Sequence, residues 1–276
     1  IINLMTIKTR NRINLFLTFM SLTIVIAAII FTVFLQFTGH FAFPPDILRL
    51  PFSSFFLTKF DFRAVLIAIN LFPAFCFIIF LYMNIEFENT QSTEIIYLSF
   101  FLIACLTETA RLFFPFFNLW NSNVSLAVYS SNVVLFGRIL APLSLFFMTL
   151  FAKTESRQYI EQNIIILIVI SAYIIMILPL DTTSPQVLGF FKCGYFMFFK
   201  YIRLLILIAA IITQTIFTAQ DKNRQRITIR LSLICAGYMI LCNTYNFLMA
   251  ALGATGIFIG TILYLKSIHS MYLWND

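Results

Sequence analysis

Apolar residues run along this chain in long continuous stretches, and polar residues gather in the short gaps between them. A helix needs roughly 20 apolar residues to cross about 30 Å of hydrocarbon. Eight stretches approach that length: 13–37, 64–83, 95–117, 127–151, 163–180, 194–218, 231–248 and 251–268. Helices are the expected form, because each run is continuous and the ten-residue alternation of a lipid-facing barrel strand is not seen. Only "MAALGATG" separates the last two runs. The predicted fold class is therefore all-α, an integral membrane bundle of about eight transmembrane helices with short loops. Its expected parts are a basic N-terminal segment over 1–12, the membrane domain over 13–269 and a short tail over 270–276.

The first run follows Lys8, Arg10 and Arg12. Its apolar part is longer than the roughly 7–15 residues of a signal peptide, and no A-x-A site follows, so an uncleaved signal-anchor helix is expected. Met5 opens "MTIKTRNRINLFL" and reads as a start, so residues 1–4 are given no function. The largest gap, 38–63, carries "FPPDILRLPFSSFFLTKF". Its aromatics and prolines suggest a segment lying in the membrane interface.

Composition agrees with lipid as the solvent. Hydrophobic residues make up 61% of the chain and charged ones 11%, against about 25% charged in soluble domains. The net charge of +7 would suit nucleic acid in a soluble protein. Here the bases flank spans, so they are read as setting orientation, and no nucleic-acid partner is expected. With the N-terminus inside, the inner segments hold Lys8, Arg10, Arg12, Lys153, Arg157, Lys222, Arg224, Arg226, Arg230 and Lys266, and the outer ones Arg49, Lys59, Arg63 and Lys192. That asymmetry predicts a cytoplasmic (inner) membrane protein with both termini in the cytoplasm. Glycine is scarce, at 8 residues, which predicts few close backbone crossings. Gly256 and Gly260 nevertheless fit small-xxx-small helix packing.

Five charged residues lie inside the apolar runs: Glu108, Arg111, Arg138, Lys200 and Arg203. A charge at the bilayer centre costs roughly 2.5–3.5 kcal/mol on insertion scales, so such groups face other helices, pair, or reach water. Counting about 1.5 Å per residue from the outer ends puts Glu108 and Arg203 about 14 Å deep and Arg138 about 16 Å, with Arg111 and Lys200 at about 9 Å. Shared depth predicts an ion pair from Glu108 to Arg138 first and Arg203 second. Glu108 and Arg111 are three residues apart, as are Lys200 and Arg203, so each pair shares a helix side. One acid cannot balance four bases. The surplus predicts an outward-opening polar cavity that binds an anionic small molecule or lipid head group. Glu108, Arg138 and Arg203 would form its floor, Arg111 and Lys200 its walls, and Asn243 and Asn246 would orient the ligand. The plainer alternative is a structural ion pair, with Lys200 and Arg111 snorkelling to the interface. Asn70 and Asn132 lie in other spans, and Pro73, Pro115 and Pro142 free backbone carbonyls within them.

The chain carries no pair of intramembrane aspartates, no GxSxG elbow and no HExxH motif. His40 and His269 sit at span ends, and "NVS" at Asn123 is too short a pattern to carry weight. The cysteines, Cys76, Cys105, Cys193, Cys235 and Cys242, lack metal-ligand spacing, so neither metal nor cofactor is expected. Span count and short loops resemble the membrane modules of bacterial sensor proteins, an architectural likeness alone. The functional expectation is a non-enzymatic, sensor-like membrane protein with partners at its basic cytoplasmic loops. A small transporter for an anionic solute and a lipid-modifying membrane enzyme are the alternatives.

Overall fold

In a computed structural model the described residues are 7–38, 60–88, 92–121, 124–151, 160–218 and 222–273. His40, Asn123 and most of the 38–63 interface segment fall outside them. The helices are α1 (Ile7–Thr38), α2 (Phe62–Glu86), α3 (Thr93–Leu106), α4 (Phe113–Phe116), α5 (Val124–Leu150), α6 (Ile160–Ile177), α7 (Phe196–Thr218), α8 (Lys222–Cys242) and α9 (Phe247–Leu273). A 3₁₀ segment, Thr107–Leu112, joins α3 to α4 into one span. Among the described residues, eight helices are long and apolar enough to cross a membrane. The all-α multi-pass architecture is as the sequence predicts, and the span positions agree to within several residues except at the start of α8, which falls at Lys222 rather than at 231, and at the last boundary.

That boundary is a correction. The break falls at Asn243–Asn246 rather than at "MAALGATG". Asn243 Nδ2 donates to Met239 O at 2.9 Å, and Thr244 Oγ1 donates to Leu241 O at 3.0 Å. Asn246 Oδ1 accepts from Met249 N at 2.8 Å. These polar side chains satisfy the backbone groups that a helix end leaves open, so the chain stops and restarts here. The glycines further on are used for packing instead. A Cβ on Gly237 would meet Gly256 C at 2.8 Å and Gly253 O at 3.0 Å, and one on Gly260 would meet Ile234 N at 3.0 Å. Four of the chain's 8 glycines thus serve one close crossing of α8 and α9, the small-residue packing expected of Gly256 and Gly260.

The core has two halves. Phe72, Phe75, Phe80, Phe101, Tyr238 and Ile257 centre the larger one, built by α2, α3, α5, α8 and α9. Phe62, Phe114, Trp120, Val134, Phe190 and Phe191 centre the second. α1, α6 and α7 are peripheral, and most of their surface faces outward. Side-chain contacts and hydrogen bonds to backbone close the end away from the second half. There Arg10 Nη2 donates to Phe87 O at 2.6 Å, and His269 Nε2 lies 3.8 Å from Glu86 Oε2.

Between α6 and α7 the chain makes an antiparallel hairpin, β1 (Leu180–Gln186) and β2 (Phe190–Cys193). Leu180 pairs with Cys193 and Gln186 with Phe190, with an irregularity between Asp181 and Pro185. Gly189, at φ +79°, takes the left-handed position of the turn. Val187, Leu188, Phe190 and Phe191 are buried, so this connection folds into the protein rather than lying over it.

Candidate functional site

The site starts from a local change of helix type. Over Thr107–Leu112 the chain tightens from α to 3₁₀. Thr107 and Thr109 hydroxyls donate to Ala104 O and Leu106 O, each at 2.7 Å. At three residues per turn, side chains three apart eclipse one another. Arg111 therefore stands directly over Glu108, with Nη1 3.1 Å from Oε2. Gly137 of α5 abuts this segment. A Cβ there would collide with Thr107 Oγ1 and lie 2.7 Å from Ala104 O. This close approach brings the next residue, Arg138, onto the same carboxylate.

The expected pair forms with its first-choice partner. Arg138 grips Glu108 with both arms of its fork, Nε to Oε1 at 2.6 Å and Nη2 to Oε2 at 3.0 Å. Bidentate, charge-assisted geometry of this kind is the strong form of the interaction. Cys242 Sγ lies 3.6 Å from Oε1 as a further donor. Arg138 Nη2 also donates to Cys242 O at 3.0 Å, at the C-terminal end of α8 where carbonyls lack helical partners. Its guanidinium sits 4.3 Å from the centre of the Phe190 ring. The cluster thus ties α5, the 3₁₀ segment, α8 and the hairpin together.

The hairpin closes the cluster off. Leu188 O accepts from Arg111 Nε at 2.7 Å. Trp120 Nε1 donates to Gln186 O at 3.4 Å, and Phe191 N donates to Ser131 Oγ at 2.8 Å. A Cβ on Gly189 would lie 3.1 Å from Arg111 O, so the turn rests on the 3₁₀ backbone. Glu108, Arg111 and Arg138 are each only 1% exposed. Where the sequence predicts an outward-opening cavity over these charges, the hairpin tip is packed instead. The physical reason is visible in "VLGFF", a run too apolar to be left in solvent. That run, in a loop otherwise rich in turn residues, is the signal from which the hairpin plug could have been found.

Arg203 is different. It lies on the narrow buried stripe of α7, with Phe199, Leu207, Ala210 and Gln214. It is 3% exposed, and its Nη2 reaches only the sulfur of Met239 at 3.8 Å. The rings of Phe199 and Tyr238 stand 5.8 Å from its Cζ. No carboxylate lies within ion-pairing distance among the described residues, and Nε has no hydrogen-bond partner there. Lys200 does not join it. Lys200 sits at the edge of the stripe in the first turns of α7, and its side chain is exposed. Asn243 and Asn246 are engaged at the α8–α9 break and are not poised as ligand arms. Among the described residues no group of three or more His, Cys, Asp or Glu is arranged to hold a metal ion. Comparison with known protein families and with curated proteins finds no match.

Proposed function

We propose that this multi-pass membrane protein is a ligand-binding, sensor-like subunit whose ligand is an anion held by Arg203. The observation that carries the reading is the division of labour among the guanidinium groups. Arg111 and Arg138 share Glu108, while Arg203 is buried with no carboxylate within ion-pairing distance among the described residues. Leaving a buried charge unpaired costs several kcal/mol, so a bound anion would relieve a cost that the fold itself leaves standing. The planar fork suits a carboxylate or phosphate, whether on a solute or on a lipid head group. α7 turns most of its surface outward, with Arg203 on the narrow buried stripe behind it.

Thermal unfolding of the purified protein with acetate, phosphate or phosphatidylglycerol tests this. One of these anions should raise the midpoint of the wild type and leave Arg203→Met unmoved. The variant should remain folded, because an apolar residue of similar volume in place of a buried charge is often neutral or stabilising. No anion response in the wild type, or the same response in the variant, overturns the proposal. Transport of an anion that carries a hydroxyl, such as hydrogen phosphate, is the second reading, favoured by Gln214, three turns along the same face, whose buried Oε1 lacks a donor among the described residues. Leu207 and Ala210 lie between the two, which speaks for a fixed site over a continuous path.

The basic asymmetry supports a cytoplasmic membrane with both termini inside, and a protein partner at the basic segment 222–230. Reporter fusions at the C-terminus and on the 180–193 hairpin should report cytoplasmic and external locations respectively. A C-terminal reporter active only outside rejects that orientation.

A further inference from the structure

A second site lies on the other flank of the bundle and shares no residue with the Arg203 cluster. α1 and α2 border a cavity of about 880 Å³, lined by Val25, Ile29, Gln36, Arg63, Asn70 and Ala74 among others. Its walls run antiparallel. Gln36 and Arg63 mark one end, Val25 and Ala74 the other, and on each helix the two are eleven residues apart. At 1.5 Å per residue the cleft is about 16 Å long, close to half of a bilayer's hydrocarbon thickness. Polarity is graded along it. Arg63 and Gln36 stand at the mouth, with Arg63 exposed in the first turn of α2. Asn70 lies about 10 Å further in. Ile29, Leu71, Val25 and Ala74 form an apolar floor. Asn70 Nδ2 is used within its own helix, donating to Leu66 O at 2.9 Å. Its Oδ1 is buried and has no partner among the described residues.

We infer that this cleft binds a single-chain anionic membrane amphiphile. The acyl chain lies along Ile29, Leu71, Val25 and Ala74, and the anionic head faces Arg63. The length fits one leaflet, and the volume falls in the usual range of ligand pockets, about 300–1,000 Å³. The charge gradient places the head at the membrane surface. A lysophospholipid with a phosphate-based anionic head has both the single chain and the charge. This inference stands independently of the anion proposed at Arg203.

Native mass spectrometry of the protein in neutral detergent, with oleoyl lysophosphatidylglycerol or oleoyl lysophosphatidylcholine as probes, tests it. The two probes share chain and hydroxyl and differ in net charge. One molecule should bind, the anionic probe about fivefold more tightly, as one basic residue near the head group provides. Arg63→Gln should abolish that preference while retaining both probes. Ala74→Phe fills the deep end and displaces about two methylenes, which should weaken both about tenfold. Arg203→Met should leave both affinities unchanged, which separates this site from the other. Circular dichroism and melting midpoint check that each variant is folded. Absence of one-to-one binding, or equal binding by wild type and folded Ala74→Phe, overturns the inference. So does an anionic preference that survives Arg63→Gln.

Discussion

Replacing Glu108 with alanine is expected to destabilise the protein by about 3–5 kcal/mol, enough to remove most of the folded material. Both of its oxygens are occupied. Oε1 accepts from Arg138 Nε and faces Cys242 Sγ, and Oε2 accepts from Arg138 Nη2 and Arg111 Nη1. Removing the carboxylate leaves two guanidinium groups buried with no counter-charge. Removing all three ionic groups together, as Glu108→Leu, Arg111→Met, Arg138→Met, should restore part of the loss, because no charge then remains to be neutralised. Recovery would be incomplete. Leu188 O and Cys242 O would lose their donors, at about 1–3 kcal/mol for each buried group left unsatisfied. Monodisperse yield and denaturation midpoints of the single and triple variants measure the difference. A triple variant as poor as the single one would contradict this account of the cluster.

The second large effect is expected at Gly237. Its absent side chain is what lets α8 lie against α9, and the atoms a Cβ would strike are backbone, at Gly256 C and Gly253 O. Backbone cannot rotate aside as a side chain can. Gly237→Leu should therefore cost about 3 kcal/mol or more, with the two helices forced apart. Gly256→Ala should be milder, since its nearest atom would be Gly237 Cα at 3.2 Å. Melting midpoints that rise in the order Gly237→Leu, Gly256→Ala, wild type check the argument. Equal midpoints for all three would show that the crossing is not close-packed.

The parts legible in the sequence were those governed by transfer into lipid. Eight long apolar runs leave few alternatives to eight helices, and the pairing of Glu108 with Arg138 follows from depth and the cost of a lone carboxylate. What could not be read depended on polar side chains serving the backbone. Asn243 and Asn246 look like intramembrane amides in a linear reading, yet they end one helix and begin the next. The hairpin was hidden because "VLGFF" is too short for a span and lies among turn residues. Its role as a plug depends on backbone carbonyls, which every residue has and which therefore leave no trace in residue identity. Lys200 shows the limit of spacing arguments. Three residues from Arg203, it lies at the margin of a stripe only one residue wide over much of its length, where a long side chain turns outward.

The 3₁₀ segment makes the third span a helix of two phases. Six residues at about 2.0 Å and 120° each, in place of 1.5 Å and 100°, lengthen the span by about 3 Å and advance its far end by about 120° of rotation. Returned to an ordinary α-helix, the same residues would draw Trp120 toward Glu108 by about that distance and turn it from the hairpin carbonyl it meets. The eclipsed stack of Arg111 over Glu108 would be broken in the same movement. The ionic contact and the seating of the hairpin are thus set by one screw coordinate, the rise and turn of six residues.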